Sequence, residues 1–535
     1  MIIENLIIGS GPTAATLCDQ LLKYNTKVTI IDIGNVIEDK NQNIKNQYRK
    51  DKNKENFLEF IRHKKITNDY KNPHLKFPFG SEFVFKKNDF EHFSAPNDLD
   101  LIFSNAYGGL SNVWGTMYAP FFQKDIKNWD IKFENFYKNI DEIKDLVPTS
   151  TTDDNLNELF GINFGNEHKY KLSSSAKYLL ESLKKKQFNL NKNGFYFGRS
   201  KVAVGSLYSY NNVECQECGL CHFGCPYDCM FSSTQILDKL KGNKNYQYIK
   251  NKFAKKIIIK GDYKILECID TQNKISQIYR FNNIFLCCGP ISTAALLLRS
   301  DFVRSNKVVF KESQRFYLPV FNKKNIKDSI NQNKNSLCEI YFDIFNEDLL
   351  SKSIHLQYYS YLDIFLKPLE NIFGKSVYLL PKIFPFIFGR INLLIGYLHS
   401  DYSSKIIMQS NKNFNSETKY EYIFNYEKAE GVEEIIKKIT YFLKKNLDND
   451  FYIFEKLTNI NLAGASYHYG SSFPMCKQNN SFGDFTDLNG KLNNFSNVFI
   501  LDSSILPDMP SQPTTLNVCI NVLRIVKNLK NLGKI

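Results

Sequence analysis

The first 35 residues change from an apolar run to a helical period and back, a pattern typical of a strand–helix–strand unit. Residues 2–8, with the sequence IIENLII, predict a buried strand. A helix is expected from Pro12 to Tyr24, and a second strand from Lys27 to Asp32. This order of elements indicates an α/β domain at the N-terminal end of the chain.

A G-x-G-x-x-A turn joins the first strand to the helix. Gly9 and Gly11 allow the tight turn and the close approach of a pyrophosphate, and Ala14 lets helix and strand pack closely. Free N–H groups in the first helical turn favour a phosphate. Asp32 follows about 20 residues later, where an acid binds a ribose. The alternative is a glycine-rich turn in another α/β unit. The predicted dinucleotide-binding residues are Gly9, Gly11, Pro12, Thr13, Ala14 and Asp32.

Further elements follow from the periodicity of the rest of the chain. Residues 36–99 are polar and rich in Lys and Asn, and they predict an excursion from the nucleotide domain. Helices are expected at 133–146, 174–186 and 292–299, and a strand, a turn and a long final helix within 496–530. Alternating apolar positions predict strands at 255–259, 263–270, 275–280 and 284–288.

Residues 364–398 are strongly apolar, but Pro368, Pro381 and Pro385 interrupt them and basic residues punctuate them. A membrane-spanning helix needs about 20 uninterrupted apolar residues, which this segment does not supply. Two interpretations stay open. The segment is either a buried wall of a second domain, or an apolar flap on a membrane surface with its basic residues facing anionic lipid.

A length of 535 residues is too great for one hydrophobic core and predicts two or three domains. The net charge of +14 comes from lysines scattered among asparagines, which indicates solvated loops. Without a basic helix interleaved with aromatic residues, a nucleic-acid partner is not expected. The first strand starts at residue 2, so we expect no secretory signal and a cytoplasmic location, with peripheral contact at the inner membrane surface as an alternative.

Five of the twelve cysteines fall within 15 residues. Cys215, Cys218, Cys221 and Cys225 have the spacing C-x2-C-x2-C-x3-C-P, which is that of bacterial ferredoxins. The run predicts a [4Fe–4S] cluster if Cys225 is a ligand, or a [3Fe–4S] cluster if only three thiolates bind. Cys229 is then spare. A zinc site or reduced thiols that brace the fold are the alternatives.

Three more segments with recognisable motifs follow the N-terminal unit along the chain. They are NAYGGLSNVWGTMYAP at 105–120, FLCCGPISTAALLLRS at 285–300 and NVFILDSSILP at 497–507. In this order the four segments resemble the glucose–methanol–choline (GMC) oxidoreductases, a family of flavoproteins. The resemblance covers both ends and the middle of the chain, and regions 36–100 and 310–450 carry almost none of it.

The resemblance implies an α/β FAD-binding Rossmann-like domain, which is discontinuous, and an α+β substrate domain with an antiparallel sheet. Residues 1–35, 100–130, 195–309 and 480–535 would form the FAD-binding domain. Residues 36–99 would be the excursion, 131–194 a helical segment and 310–479 the substrate domain. The family further implies FAD contacts at Gly108, Gly109, Ser111, Asn112, Trp114, Gly289, Asp502 and Ser503.

Catalytic residues are implied in two C-terminal segments. His468, in GASYHYGSSFPM at 464–475, resembles the family histidine that lies over the flavin and takes the hydroxyl proton of an alcohol, although its spacing to the next glycine is one residue shorter. The family's second position, in an Asn-Pro-Thr stretch, corresponds here to SQPTTLN at 511–517. Gln512, Thr514 and Asn517 all stay candidates for binding the alkoxide.

The implied function is oxidation of a CH–OH group of an alcohol, sugar or polyol, with hydride transfer to N5 of FAD. With an Fe–S cluster, electrons would leave singly to an outside acceptor, and the enzyme would be a dehydrogenase. The apolar segment also admits a lipid-linked substrate. Two alternatives stay open: a lyase or isomerase that keeps the flavin oxidised, and a membrane-surface electron-transfer protein without its own turnover.

Overall fold

The computed structural model describes residues 2–63, 75–163, 165–167, 170–327, 329–330, 332–411, 419–477, 484–495 and 497–535. The predicted boundary between residues 479 and 480 lies outside these ranges. The described residues form three β-sheets with helices packed around them.

The first sheet has a parallel half and an antiparallel half. Its strand order is Tyr246–Ile249, Val28–Ile31, Ile2–Ile8, Ser276–Leu286, Tyr263–Asp270 and Lys252–Lys260, and Val498–Ile500 pairs parallel with the end of Ser276–Leu286. The central strands are apolar because helices cover both faces of a parallel sheet. Helix Pro12–Lys23 packs against helices Ser233–Leu240 and Thr514–Asn531.

Four parallel strands of this sheet end at the same edge. Gly9 follows the first strand, Asp32 the second, Cys287 the third and Asp502 the last. Ligands of α/β sheets bind at the carboxyl ends of such strands. This edge therefore brings together segments that lie up to about 490 residues apart in the chain.

The second sheet is antiparallel, with the order Phe451–Ile453, Arg315–Asn322, Ile391–Leu398, Ile354–Ser360, Ile340–Ile344 and Phe195–Arg199, and with Asn459–Ile460 beside Arg315–Asn322. Its apolar face packs in one core with helices Ser174–Lys184 and Val432–Leu447. The third sheet has the order Tyr469–Gly470, Lys307–Glu312, Lys405–Ser410, Tyr420–Glu427 and Glu91–Ser94. It shares the core of the first sheet.

The remaining α-helices are Asp39–Asp51, Lys54–His63, Phe133–Tyr137, Ile140–Leu146, Asn155–Phe160, Gln187–Lys192, Pro290–Arg299, Lys367–Phe373, Leu380–Ile383 and Pro385–Phe388. Short 3-10 turns lie at Pro78–Gly80, Gly109–Asn112, Tyr210–Asn212, Asp363–Leu366, Gly374–Leu379, Ser400–Tyr402, Glu455–Leu457 and Ser503–Ile505. Within the described ranges, none of the helices is both long enough and apolar enough to cross a bilayer.

Several elements differ from the sequence-based expectation. Residues 276–286 form one continuous strand where two were predicted, because the first half pairs with Tyr263–Asp270 and the second half with Ile2–Ile8. The helix expected at 133–146 is interrupted after Tyr137. The strand Phe195–Arg199, placed by sequence in the FAD-binding domain, pairs instead with Ile340–Ile344 in the second sheet.

The apolar segment 364–398 is divided between a strand of the second sheet and a set of exposed turns. Its end forms strand Ile391–Leu398 inside the second sheet. Residues 363–388 instead form short helical turns outside that sheet. Eight large apolar side chains of these turns are exposed, and they are Leu369, Ile372, Phe373, Leu379, Ile383, Phe384, Phe386 and Ile387.

Candidate active site

A single cavity of about 440 Å³ extends from the edge of the first sheet to the face of the second. One end is lined by the glycine-rich turn, Asp32 and residues 287–292, and the other by His468 and side chains of the second sheet. Eleven of the predicted cofactor-binding residues line this cavity: Gly9, Gly11, Pro12, Thr13, Asp32, Gly109, Ser111, Trp114, Gly289, Asp502 and Ser503. Ala14, Gly108 and Asn112 are not among the residues that line it.

Asp32 is held at the edge of the cavity by hydroxyl groups. The hydroxyl of Ser10 donates to Oδ2 of Asp32 and accepts from the backbone N–H of Gly108 at 2.9 Å. The hydroxyl of Tyr248 donates to the same carboxylate oxygen at 3.4 Å. Burial raises the pKa of Asp32 to about 7. A ribose hydroxyl pair is the kind of donor that such an oriented carboxylate accepts.

Two glycines of the cavity wall have different roles. Gly9 has a φ of +94°, and a Cβ there would lie 2.8 Å from the carbonyl oxygen of Cys287, so it serves the close contact of neighbouring strands. Gly289 has a φ of +84° and precedes helix Pro290–Arg299, and a Cβ there would meet no protein atom within 4 Å. Because Gly289 lines the cavity, a side chain would project into the space that a nucleotide needs.

Residues 108–114 form a turn that is tied to helix Ser233–Leu240. Ser111 Oγ donates to the carbonyl of Gly108 at 2.6 Å and lies 3.0 Å from Ser233 Oγ. Asn112 Nδ2 donates to two backbone carbonyls, which makes its amide part of the turn. Trp114 Nε1 donates to the carbonyl of Phe231 at 2.7 Å, so the ring is fixed where it lines the cavity.

Asp502 begins a short turn after the last strand of the first sheet. Its carboxylate accepts from Thr293 Oγ1 at 2.5 Å and from the N–H of Ser504 at 2.9 Å. Burial raises its pKa. Ser503 Oγ donates to the carbonyl of Tyr469 at 2.9 Å, which connects this turn to the segment that carries His468.

His468 lies at the opposite end of the cavity. Its ring stacks on Tyr397, with centroids 4.9 Å apart, and Nδ1 has no hydrogen-bond partner among the described residues. Burial is the main reason why the pKa of His468 falls to about 3, and the positive charge of Arg315 lowers it further. The imidazole is therefore neutral at neutral pH, which is the form that accepts a proton, but a pKa of about 3 makes it a weak base.

The loop that carries His468 is anchored on a buried acid. Glu312 Oε2 accepts from the N–H of Gly464 at 2.8 Å and from Ser466 Oγ at 3.2 Å. The carbonyl of His468 accepts from the N–H of Ser313 at 2.9 Å. Burial raises the pKa of Glu312 to about 8. Sequence reasoning missed this acid because it lies about 150 residues from the loop.

The three candidates for the second catalytic position are in different places. Gln512 Nε2 donates to Ser353 Oγ at 2.9 Å and to Asp343 Oδ1 at 3.2 Å, away from the cavity. Asn517 Nδ2 donates to the carbonyls of Ala119 and Pro513. Thr514, at the start of the last helix, lines the cavity, and its buried Oγ1 has no partner in the described part of the chain.

The cysteine run lies beside the main cavity. Cys215, Cys218, Cys221, Cys225 and Cys229 line one small cavity of about 20 Å³. Burial raises the pKa of Cys215, Cys218 and Cys221, and a hydrogen bond from Cys229 lowers that of Cys225 to about 7. Among the residues described, no group of three or more His, Cys, Asp or Glu side chains is arranged to hold a metal ion.

Four cationic residues line the main cavity, namely Lys76, Lys252, Arg299 and Arg315, and no sequence pattern assigned a role to Lys76 or Arg315. Lys76 Nζ donates to the carbonyl of Trp114 at 2.9 Å, and burial lowers the pKa of this ammonium to about 8. Arg315 lies near His468 at the other end. Both come from segments without a recognisable motif, so only tertiary contacts could place them.

Comparison with known proteins identifies the family of this chain. No curated protein sequence matches the chain. The crystal structure of pyridoxine 4-oxidase from Mesorbium loti has a similar fold, with a TM-score of 0.61 at 12% identity over 99% of this chain and 99% of that chain. The family model of the GMC oxidoreductases matches residues 3–314. The chain therefore belongs to the GMC oxidoreductase family, whose members bind FAD.

Proposed function

We propose that this protein oxidises a CH–OH group of an alcohol, sugar or polyol, with FAD as the hydride acceptor and His468 as the base. The observation that carries the proposal is the single cavity that connects the glycine-rich edge of the first sheet with a buried, neutral histidine. FAD fits the residues present. Gly289 leaves open space where a side chain would intrude, and Asp32 offers a carboxylate to a ribose.

FAD, when bound, supplies a two-electron acceptor for the hydride that leaves the substrate carbon. His468 removes the hydroxyl proton, and its neutral form is available because burial disfavours the imidazolium. Thr514 offers an unpaired hydroxyl to the substrate oxygen. The backbone N–H groups at the start of helix Thr514–Asn531 add a partial positive charge at the same end of the cavity.

Anaerobic mixing with a panel of alcohols, sugars and polyols tests the proposal through bleaching of the visible flavin absorbance. We expect at least one donor to bleach the wild-type flavin. The variants His468→Ala and His468→Gln should bleach about 10²- to 10⁴-fold more slowly while FAD stays bound, because a general base contributes about that factor. The exposed His92, on strand Glu91–Ser94, gives the control His92→Gln, which should behave as wild type.

Other outcomes would favour other functions. A flavin that stays oxidised with every donor would support the lyase or isomerase alternative. Undiminished bleaching in His468→Ala would remove the assignment of the base. Rapid reoxidation by O₂ would indicate an oxidase, whereas reoxidation only by a one-electron acceptor would support a dehydrogenase.

We also propose that Cys215, Cys218, Cys221 and Cys225 hold an Fe–S cluster, as a [4Fe–4S] or [3Fe–4S] form. The support is the ferredoxin spacing and the shared cavity of these thiols. Cluster binding would require the thiols to rearrange, because among the described residues no three of them are arranged to hold a metal ion. Such a cluster would supply one-electron redox chemistry next to the flavin site, because Cys221 directly precedes His222, which lines the main cavity.

Iron, zinc and acid-labile sulfide in an anaerobic preparation test the cluster. We expect iron and sulfide in the wild type, and their loss in Cys215→Ser and Cys221→Ser. Cys268→Ser is the matched control, since Cys268 is a buried free cysteine in the first sheet. Zinc without sulfide would indicate a zinc site, and absence of both would leave the thiols a bracing role.

We propose that the exposed apolar turns at 363–388 make peripheral contact with an anionic membrane, which for a cytoplasmic protein is the inner membrane surface. Ile372 is 72% exposed and Phe386 57% exposed, and Lys375 and Lys382 lie on the same short segment. Apolar side chains flanked by lysines are typical of surfaces that rest on anionic lipid. Because Ile364 and Phe365 of this segment line the cavity, a long-chain or lipid-linked substrate could enter there.

Flotation with vesicles tests this contact. We expect the wild type to float with anionic vesicles and less with zwitterionic ones, and the double variant Phe373→Ser with Phe386→Ser to stay in the soluble fraction. Tyr441→Ser removes an equally exposed aromatic residue, 72% exposed, from another surface and should float as wild type. Equal flotation of all variants would contradict the proposal.

A further inference from the structure

A buried guanidinium lies beside the proposed base. Arg315 begins strand Arg315–Asn322, is 9% exposed, and lines the cavity at the end where His468 lies. Strand pairing places Arg315 opposite Tyr397, the residue on which His468 stacks. The guanidinium carbon lies 5.1 Å from the ring centroid of Tyr317 and 5.4 Å from that of Tyr467. Arg315 therefore belongs to the substrate end of the cavity.

The protein partners of this guanidinium are neutral. With the amide of Asn461 turned so that its oxygen faces Arg315, the oxygen accepts from Nη2 at 2.8 Å and from Nε at 3.0 Å. The side chain of Tyr397 is the neighbour of the guanidinium across the paired strands. Within the described ranges, no carboxylate lies within 4.0 Å of Arg315 in an ion pair. Glu312 is the acid whose charge would interact with Arg315, and it is mostly protonated at neutral pH because burial raises its pKa to about 8.

A second buried arginine of the same cavity shows the usual arrangement. Arg299 lines the opposite part of the cavity and forms an ion pair with Glu91 at 2.7 Å. A buried charge is costly unless an opposite charge compensates it. Arg299 has such a partner from the protein, and Arg315 does not. An anionic group on a bound molecule would supply the missing charge, and the planar guanidinium suits carboxylate and phosphate oxygens.

We propose that Arg315 and Tyr397 form an anion subsite, so that the substrate is an alcohol that also carries a carboxylate or phosphate group. This inference rests on the proposed function only in that the bound molecule is called a substrate. Anion binding at the subsite does not require turnover. Because Tyr397 contacts both Arg315 and His468, an anion held there places the rest of the molecule beside the base. The subsite would select acidic substrates over neutral ones of the same size.

Equilibrium titration of the FAD-loaded protein tests the subsite, with the perturbation of the flavin absorbance as the readout. The probes are benzoate, acetate and inorganic phosphate, with benzamide and acetamide as neutral analogues of the two carboxylates. We expect at least one anion to bind, and a carboxylate to bind at least tenfold more tightly than its amide. Arg315→Gln should weaken the anion at least tenfold and leave the amide unchanged. Arg315→Lys keeps a point charge without the planar fork, so it should weaken anion binding less than Arg315→Gln does.

The control variant is Arg304→Gln, because Arg304 is a half-exposed arginine on the surface and should leave anion binding as in the wild type. Preference for benzoate or for phosphate distinguishes the two anion classes. Equal binding of each carboxylate and its amide, or no binding of any anion, would overturn the inference. So would an Arg315→Gln variant that shifts the flavin potential but keeps anion binding. If anions bind and no alcohol bleaches the flavin, the subsite stands and the proposed function fails.

Discussion

Lowering the pH from 7 to 5 should leave the neutral form of His468 almost fully populated. Burial is the largest of the causes that hold its pKa at about 3, and the electrostatic interactions with Arg315 and His355 lower it further. At pH 5 a group with this pKa is about 99% neutral, whereas a histidine with the ordinary pKa of about 6.5 is about 3% neutral. The rate of flavin reduction should therefore change by a few per cent between pH 7 and 5, rather than fall about 25-fold.

Nuclear magnetic resonance of protein with isotope-labelled histidine measures the protonation state of His468 directly. The chain has eight histidines, and the signal that disappears in His468→Gln identifies the imidazole of interest. We expect this signal to stay at its neutral position from pH 8 to 5. In Arg315→Gln the pKa of His468 should rise, because a repelling cation is gone, but stay below 6.5 because burial remains.

The lowered pKa of His468 also makes the stability of the folded state depend on pH. The unfolded chain binds a proton at this histidine near pH 6.5 and the folded chain only near pH 3, so the folded state loses stability as the pH falls through that window. His468→Gln should lose less stability over this range than the wild type. An imidazole signal that titrates with a midpoint near 6.5, or a pKa that falls in Arg315→Gln, would refute the reasoning.

Three further predictions follow from single contacts. Gly9→Ala should lower the free energy of unfolding by about 2–5 kcal/mol in denaturant titrations, since its φ is +94° and its Cβ would lie 2.8 Å from a carbonyl oxygen. Gly11→Ala, where the nearest atom is 3.9 Å away, should cost less than about 1 kcal/mol, and equal losses would contradict the argument. Glu312→Ala should destabilise the protein by about 1–3 kcal/mol and slow flavin reduction, because two buried donors lose their acceptor, whereas Glu312→Gln should keep most of both properties. Thr514→Val should change stability by less than about 0.5 kcal/mol, because its hydroxyl has no partner among the described residues, yet lower kcat, and an unchanged kcat would remove Thr514 from the site.

Local features of the chain were predictable from sequence because they depend on short-range geometry. The strand–turn–helix at residues 2–23 follows from an apolar run, two glycines and a helical period within one segment. Each motif of the GMC family also lies within one short segment of the chain. The family model that matches the chain agrees with these motifs. Tandem cysteines with short spacings necessarily lie near one another, and five of them share one cavity.

Which side chains reach the cavity depended on the tertiary structure. Thr514 and Asn517 are three residues apart near the start of one helix, and the packing of that helix turns Thr514 to the cavity and Asn517 to the carbonyl of Ala119. Arg315 and Tyr397 meet only because two strands 80 residues apart pair in one register.

The sequence by itself therefore determined the nucleotide-binding unit, the family and the candidate catalytic residues, because these depend on backbone conformation and spacing within single segments. Only the tertiary structure decided which candidates line the cavity and which buried charges have a charged partner among the described residues. Burial and pairing are properties of contacts between distant segments, and no local pattern of residues specifies them.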